Sequence, residues 1–303
     1  MKYDSVIIVG PTASGKTKLS VELAKLLNSE VINADSQQLI KGLDIGTAKI
    51  TAEEMDGIKH HLFNIIDVGE KYSVSQFRED SEIIVNNLKA QNKIPIIVGG
   101  TGLYVNSLIY NYTFGGSEED TSKREYYFRL AEEKGVDFVH DILKKLDPKS
   151  ASEIHANNLK RVVRAIEIAE NSATKKSEQT LIKNPNLNPL IIGLNPSREV
   201  LFDRINKRVE TMMANGLKNE TDILNKKGFY NTNATLPIGY SEWGDYYHGE
   251  KTLDEVVEQI KLDTRHYAKR QLTWFKKLEN VIWFNPENMP FNEILNSIMQ
   301  MLK

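Results

Sequence analysis

Short apolar runs alternate with longer amphipathic segments along the first hundred residues. Residues 6–9 and 31–32 are β-branched runs that predict buried strands, whereas leucines three and four positions apart across 17–27 predict a helix with one buried face. Further elements are expected as a strand at 63–66, a helix from about Ser73 with Gln76 completing a capping box, and a strand at 94–98. This alternation is typical of βαβ units and predicts an α/β fold built on a doubly wound parallel sheet.

The pattern changes between about 115 and 188, where the sequence is charged, favours helices and contains no convincing strand. We interpret this segment as a helical insertion. The run PLIIGL at 189–194 resumes the sheet, followed by predicted helices near 198–215, 218–227 and 253–278 and a strand at 281–284. The predicted organisation is a first part of a catalytic core at 1–114, the insertion at 115–188, and a second part of the core with basic helices at 189–303.

Composition narrows the class of protein. The 303 residues carry 39 Lys and Arg against 41 Asp and Glu, a net charge of −2, so any nucleic-acid partner must be bound by a local basic patch. The absence of cysteine excludes disulfides, thiolate nucleophiles and cysteine-ligated zinc, and fits a reducing compartment. No apolar stretch approaches the roughly 20 residues that span a bilayer, so we expect a cytoplasmic protein.

The strongest short motif follows the first predicted strand. GPTASGKT at 10–17 matches G-x-x-x-x-G-K-[ST], and it lies between a strand and a helix, as a phosphate-binding loop of the ATP-binding type must. Backbone amides and the helix N-terminus would surround a pyrophosphate, Lys16 would add a full positive charge, and Thr17 can hold Mg²⁺. The predicted pyrophosphate-binding residues are Gly10, Thr12, Ala13, Ser14, Gly15, Lys16 and Thr17. The motif alone does not say whether phosphate is transferred, hydrolysed or released.

A carboxylate near this loop is the next candidate for chemistry. Apolar segments ending in aspartate occur at Asp35 and Asp67, and Asp35 is preferred because it follows the strand expected beside the phosphate loop. At this stage a turn or helix-capping role for Asp35 remains open.

Six motifs, spread in order over nearly the whole chain, resemble the tRNA dimethylallyltransferases, also called tRNA isopentenyltransferases. They are GPTASGKT at 10–17, DSQQ at 35–38, DIGTAK at 44–49, GGTGLY at 99–104, IGY at 238–240 and TRHYAKRQLTWF at 264–275. The resemblance implies a P-loop fold and transfer of a dimethylallyl group from dimethylallyl pyrophosphate to the exocyclic amine of the adenosine 3′-adjacent to the anticodon. Without cysteine the chain lacks the zinc finger of eukaryotic relatives, so a bacterial-type short form acting as a monomer is expected.

The resemblance also implies roles for individual residues. Asp35 would accept the proton of the amine, Thr101 would reach the pyrophosphate or the base, and Arg208 would neutralise the leaving pyrophosphate with Mg²⁺ as cofactor. For Thr101 a helix-capping role is open, and Arg204 is left as a surface or substrate-supporting residue. The family usually has an aromatic residue after its Asp-Ser-Gln motif, where this chain has Leu39 and Ile40.

Binding of the tRNA anticodon stem-loop is assigned to two basic regions and to the motifs. Residues 260–277 carry six Lys or Arg against one Asp, interleaved with aromatic residues that suit an RNA backbone and unpaired bases. The predicted tRNA-binding residues are Asp35, Ser36, Gln37, Gln38, Thr101, Arg124, Lys160, Arg161, Arg164, Gly239, Tyr240, Lys269, Arg270, Gln271 and Trp274. For Lys160 an ordinary charged helix surface stays an alternative. Rival functions are an adenylate isopentenyltransferase, a P-loop kinase of a nucleoside or small metabolite, and a non-catalytic nucleotide-dependent RNA-binding module.

Overall fold

A computed structural model of the protein describes residues 2–111, 121–171, 182–232 and 234–303. The chain divides into two compact units. One unit combines Met1–Ile109 with Asn184–Lys303, and the other is Tyr110–Lys183. The second unit therefore begins and ends five residues earlier than the insertion predicted at 115–188, because two short strands pair where the chain enters and leaves it.

The larger unit is built on a parallel sheet of six strands within the described residues. The strands are β1 (Ser5–Val9), β2 (Val31–Asn33), β3 (His60–His61), β4 (Ile96–Val98), β7 (Pro189–Leu194) and β8 (Val281–Phe284). Their order across the sheet is β3-β2-β4-β1-β7-β8. Every neighbouring pair in this sheet is parallel, so the carboxyl ends of β1, β2 and β4 lie along one edge. The predicted α/β fold with a P-loop-type parallel sheet is thus confirmed.

Helices cover this sheet and fill the connections. They are α1 (Lys16–Leu27), α2 (Ala52–Met55), α3 (Val74–Ala90), α4 (Gly102–Ile109), α9 (Arg198–Ala214), α10 (Leu217–Lys226), α11 (Gly244–Tyr247), α12 (Leu253–Phe275) and α13 (Phe291–Leu302). Apolar side chains of the central strands pack with Leu19 and Leu23 of α1 and with Ile298 of α13 in one core whose members are shielded from solvent. Packing on both faces explains why these strands are continuous apolar runs rather than alternating ones.

The smaller unit is helical. It contains β5 (Tyr110–Asn111), α5 (Thr121–Lys134), α6 (Val136–Leu146), α7 (Pro148–Glu153), α8 (Leu159–Asn171) and β6 (Ile182–Lys183). Val139 and Leu143 of α6 pack with Val162 and Ile166 of α8, and all four side chains are almost completely buried. The unit is built mainly from helices, and the pairing of β5 with β6 was not expected from a sequence without a strand signal.

Two predictions about elements were wrong or incomplete. Residues 63–66 do not form the third strand, because Leu62 and Asn64 adopt positive φ angles of 59° and 54° and turn the chain there; β3 lies just before them. The final helix α13 was missed. The capping box of Ser73 and Gln76 is present at the start of α3, as predicted.

Within the described residues, no helix combines the length and apolar character needed to cross a membrane.

Candidate active site

The phosphate loop joins β1 to α1 and adopts a conformation that depends on its glycines. Gly10 and Gly15 have φ angles of 149° and 99°, in the region that side chains rarely adopt. A Cβ atom on Gly10 would lie 2.5 Å from the carbonyl oxygen of Leu194 in the neighbouring strand, so no larger residue fits. Ser14 is almost completely buried, and its hydroxyl has no hydrogen-bond partner among the described residues. The loop therefore carries a polar group whose partner would be a ligand.

A cavity of about 540 Å³ opens along the carboxyl ends of β1, β2 and β4. The phosphate loop, the end of β2 with Asp35, the segment around Thr47, helix α9 and helix α12 all contribute to its walls. Two of the predicted catalytic residues, Asp35 and Arg208, line it together with Lys16 and Thr17, whereas Arg204 is not among its described lining residues. The structure thus brings together charged groups separated by more than 170 positions in the sequence.

Two cations and one carboxylate influence one another in this cavity. The Lys16 ammonium donates to the carbonyl oxygen of Pro11 at 2.7 Å. Burial lowers its pKa to about 8, opposed by the attraction of Asp35 and reinforced by the repulsion of Arg208. Burial likewise lowers the pKa of Arg208, whose Nη1 atom donates to the Thr12 hydroxyl at 3.2 Å. Two cations held near each other away from water favour an anionic ligand.

Asp35 is held in a fixed orientation beside these cations. Its Oδ1 atom accepts from the Gln37 amide at 3.0 Å and caps the short 3₁₀ helix Ser36–Leu39. Asn33 accepts from the Asp35 amide and donates to its carbonyl oxygen. Burial raises the pKa of Asp35, although the Gln37 amide, Lys16 and the Gly100 amide all favour the ionised form. The capping role left open by the sequence is therefore real, and it coexists with a basic carboxylate facing the cavity.

The Thr101 side chain binds Ser36, the residue that follows this aspartate. Its hydroxyl accepts from the Ser36 amide at 2.9 Å and donates to the Ser36 hydroxyl at 3.1 Å. The phenol of Tyr267 on α12, which lines the cavity, lies beside Thr101 and Gln271. Burial and the nearby Asp35 raise the pKa of Tyr267, so its phenol stays protonated. Tyr267 was not among the predicted site residues, although its position four residues before Gln271 on one helix indicates a shared face.

Several residues predicted to bind tRNA are buried in the larger unit instead. Tyr240 is fully buried, with its hydroxyl between Glu220 and the Gly46 amide, and Gln271 is only 4% exposed. The Gln38 amide donates to the carbonyl oxygens of Thr47 and Ala48. These side chains are occupied by protein contacts, which the local pattern of each motif could not show, and a contact of Tyr240 or Gln271 with tRNA stays a prediction.

Other predicted tRNA-binding residues remain at the surface. Lys269 and Arg270 are exposed on α12, and Trp274 is half-buried against Gly102, where a Cβ atom would lie 2.2 Å from the indole ring. Gly239 has a φ of 94° and donates its amide to Glu242. The basic run of α12 is partly neutralised, because Lys261 pairs with Glu210 and Glu258. The exposed cations within α12 are Lys269 and Arg270, and the Arg270 guanidinium lies 5.7 Å from the centre of the Tyr267 ring.

The basic residues of the helical unit also divide into cations paired within the protein and cations exposed to solvent. Arg124 of α5 donates to the buried Glu167 of α8 at 2.7 Å and so joins the two helices, whereas Arg164 donates to Glu167 at 3.1 Å within α8 itself. Lys160 and Arg161 are exposed at the start of α8. The exposed pair has the character expected of a phosphate contact, whereas the two arginines have an internal partner.

Known proteins are similar to this chain in sequence and fold. A family model described as IPP transferase matches residues 38–278, and one described as isopentenyl transferase matches residues 3–70. A tRNA dimethylallyltransferase from Bacillus cytotoxicus is 47% identical over 283 residues, which cover 92% of this chain and 89% of the relative. The full-length tRNA isopentenylpyrophosphate transferase from Bacillus halodurans superposes with a TM-score of 0.74 at 43% identity, covering 99% of this chain and 96% of that chain. A eukaryotic dimethylallyltransferase described as acting on tRNA gives a TM-score of 0.79 at 30% identity, covering 93% of this chain and 73% of that chain.

Proposed function

Since the chain belongs to the tRNA dimethylallyltransferase family, we propose that it transfers a dimethylallyl group from dimethylallyl pyrophosphate to tRNA. The acceptor is the exocyclic amine of the adenosine 3′-adjacent to the anticodon, and pyrophosphate is released. The observation that carries this proposal is the presence of Asp35 in the same cavity as Lys16 and Arg208. In such a transfer, the base must reach the attacking amine nitrogen while the anion-binding site holds the leaving pyrophosphate, and both groups are bonded to the same carbon in the transition state.

The phosphate loop serves the leaving group. As the bond between the allylic carbon and the pyrophosphate oxygen breaks, negative charge grows on the pyrophosphate. Lys16, Arg208 and the α1 N-terminus would stabilise that charge in a site shielded from bulk water, where each contact is worth more than in solvent. The loop is therefore suited to hold a departing pyrophosphate without any transfer of a phosphoryl group.

Asp35 serves the acceptor. The amine nitrogen forms the new bond to the allylic carbon and must lose one proton, which the carboxylate takes. Burial raises the pKa of Asp35 and makes it a better base than an exposed aspartate, while the Gln37 amide and Lys16 keep the ionised form accessible. Thr101, fixed by Ser36, would help to orient the acceptor base beside the carboxylate.

Magnesium is proposed as the cofactor. Thr17 is exposed to the cavity, and no group of three His, Cys, Asp or Glu side chains among the described residues forms a separate metal site. A single hydroxyl ligand such as Thr17 fits Mg²⁺, because this ion commonly binds through one or two protein ligands together with phosphate oxygens and water. When bound, the ion would neutralise charge on the pyrophosphate, and Thr17 would be its protein ligand.

Binding of the anticodon stem-loop is assigned to the exposed cations. Lys269 and Arg270 on α12, and Lys160 and Arg161 on α8, offer phosphate contacts that a free nucleotide would not need. We also propose that the protein acts as a monomer, and in the cytoplasm, where its tRNA substrate is found.

An adenylate isopentenyltransferase is the second candidate, because the isopentenyl transferase model matches the segment that contains the phosphate loop and Asp35. In the decisive test, the protein, Mg²⁺ and radiolabelled dimethylallyl pyrophosphate are incubated in three parallel reactions, each with one acceptor: tRNA, AMP or ATP. We expect label in tRNA alone. Label in AMP or ATP but not tRNA would favour the second candidate, and phosphorylation of an acceptor from ATP without prenyl transfer would overturn both.

A further inference from the structure

Gln271 joins the two halves of the site through a single buried side chain. Its Oε1 atom accepts from the Thr12 amide of the phosphate loop at 2.8 Å, and its Nε2 atom donates to the Gly100 carbonyl oxygen at 3.0 Å. The side chain is 4% exposed. Both ends of the amide are therefore satisfied by backbone groups of segments that lie 88 positions apart in sequence.

Each of these backbone groups belongs to a segment that contacts a charged residue of the proposed site. On one side, Thr12 accepts the hydrogen bond from Arg208. On the other side, Gly100 packs directly against the Asp35 carboxylate, and its amide favours the ionised form of that carboxylate. A Cβ atom on Gly100 would lie 2.2 Å from Gln271 Nε2 and 3.0 Å from Asp35 Oδ2, which shows how tightly the three residues are packed.

From these contacts we infer that Gln271 is a positioning residue that fixes the distance between the pyrophosphate site and the base. This inference rests on the proposed function and adds a residue to it. Tyr267, one turn earlier on α12, lies beside both Gln271 and Thr101. Bringing reacting groups into line is worth a large rate factor, and a shift of about 1 Å can cost on the order of 10²-fold in rate.

Gln271 differs from its neighbours on the same helix in exposure and therefore in expected role. Lys269 and Arg270 are exposed and would contribute to the affinity for tRNA, whereas Gln271 has no surface left for RNA. Loss of Gln271 should therefore lower the rate of the chemical step at saturating substrates, and loss of Arg270 should mainly weaken tRNA binding.

Two substitutions test this in the full-length protein. Gln271→Met has a similar length and removes both hydrogen bonds, and we expect the single-turnover rate at saturating tRNA and donor to fall by about 10²-fold at every pH. In Gln271→Glu, a protonated carboxyl offers one donor and one acceptor and replaces both bonds. The ionised carboxylate loses the donor and faces the Gly100 carbonyl oxygen and Asp35, with the Tyr267 phenol and the Lys16 ammonium as the other ionisable groups nearby.

The readout is the ratio of the variant rate to the wild-type rate as a function of pH, because the ratio removes the pH dependence that both proteins share. For Gln271→Glu we expect the ratio to fall as pH rises, and for Gln271→Met we expect it to stay low and flat. Even if Gln271→Met fails to fold, the Gln271→Glu ratio decides the matter. A flat ratio near one in Gln271→Glu, or full rates restored in both variants by excess tRNA, would overturn the inference.

A further measurement does not depend on catalysis. Hydrogen exchange of the Thr12 amide should be faster in Gln271→Met than in the wild type, since its acceptor is gone. Equal exchange would show that the bridge is not formed in solution. If the wild-type protein transfers no dimethylallyl group, the proposed function fails, and the exchange rate of Thr12 still decides whether the bridge exists.

Discussion

The phenol of Tyr240 donates a hydrogen bond to the carboxylate of Glu220 at 2.5 Å. The same hydroxyl accepts from the Gly46 amide at 2.9 Å, and Glu220 also accepts from the Ile45 amide. A Cβ atom on Gly46 would lie 2.5 Å from the Tyr240 ring. Tyr240 and Glu220 therefore fix the backbone of the 44–49 segment, whose members Gly46, Thr47 and Ala48 line the cavity.

Replacing Tyr240 by Phe tests this support. The substitution leaves the Gly46 amide and the Glu220 carboxylate with one partner fewer, which costs roughly 1–3 kcal/mol of folding free energy for a buried group. Because the 44–49 segment lines the cavity, we also expect a several-fold higher KM for dimethylallyl pyrophosphate. Urea unfolding and steady-state kinetics measure the two effects.

Tyr247→Phe is the matched control for this variant. Tyr247 donates to Asp222 at 2.7 Å in the same aromatic cluster, and it does not line the cavity. We expect a comparable loss of stability with an unchanged KM for the donor. An equal rise of KM in both variants would mean that general destabilisation, not the 44–49 segment, is responsible.

Features encoded within a few consecutive residues could be predicted from the sequence. The phosphate loop, the strand before it and the cap of α3 depend on neighbours along the chain, so glycines, β-branched runs and the pair Ser73 and Gln76 were sufficient signals. The position of Asp35 beside Lys16 followed from the rule that ligands bind at the carboxyl ends of parallel strands.

Features that depend on distant contacts could not be predicted. The bond between Gln271 and Thr12 joins residues 259 positions apart, and that between Tyr240 and Gly46 joins residues 194 positions apart. Polar residues in motifs were assigned to tRNA because nothing local distinguishes an inward-facing amide from an exposed one. The mispredicted strand at 63–66 has a related origin, since the amides of Ile65 and Ile66 donate to the distant Leu39 carbonyl oxygen while positive φ angles turn the chain at Asn64.

Donor binding should depend on the protonation of Lys16. The pKa of this ammonium is lowered to about 8 in the free protein, so it loses its proton as pH rises through that value. The charged form binds pyrophosphate, and we therefore expect donor affinity to be high below about pH 8 and to weaken above it. Calorimetric titration with inorganic pyrophosphate and Mg²⁺ between pH 6.5 and about pH 9.5 measures this window around the shifted value.

Lys16→Ala provides the comparison for the pH series. We expect weak pyrophosphate binding with no change of slope near pH 8, and an unchanged affinity for tRNA, because the cations assigned to RNA are elsewhere. Wild-type pyrophosphate affinity in the variant would show that the loop is not the donor site.

The exposed cations of α12 should make tRNA binding sensitive to salt. Each phosphate contact releases counterions, so log affinity falls with log salt concentration in proportion to the number of contacts. Arg270→Ala should weaken binding and reduce the slope by about one. Lys261→Ala is the matched control on the same helix, since Lys261 is held by Glu210 and Glu258 and should leave the slope unchanged. Equal slopes for Arg270→Ala and the wild type would remove Arg270 from the RNA contact.

Asp35→Asn separates the base from the cap. Asparagine keeps the size of the side chain and an oxygen that can accept from the Gln37 amide, so the 3₁₀ helix Ser36–Leu39 keeps its cap. Because burial raises the pKa of Asp35, the ionised carboxylate is the costly form in the folded protein, and a neutral amide should not lower the melting temperature. A reduced rate in this variant can then be attributed to chemistry rather than to unfolding.

We expect the single-turnover rate of Asp35→Asn to fall by about 10²-fold or more, since an amide cannot take the proton of the attacking amine. Both substrates should still bind, because the phosphate loop and the exposed cations are unchanged. The loss should persist at saturating tRNA, donor and Mg²⁺; recovery at high Mg²⁺ would instead indicate that Asp35 acts as a metal ligand, whose amide oxygen still coordinates weakly. In the wild type, the rate should fall as pH is lowered through the raised pKa of Asp35, and this limb should be absent from the residual activity of the variant. A variant that keeps the wild-type rate would leave Asp35 with its capping role alone.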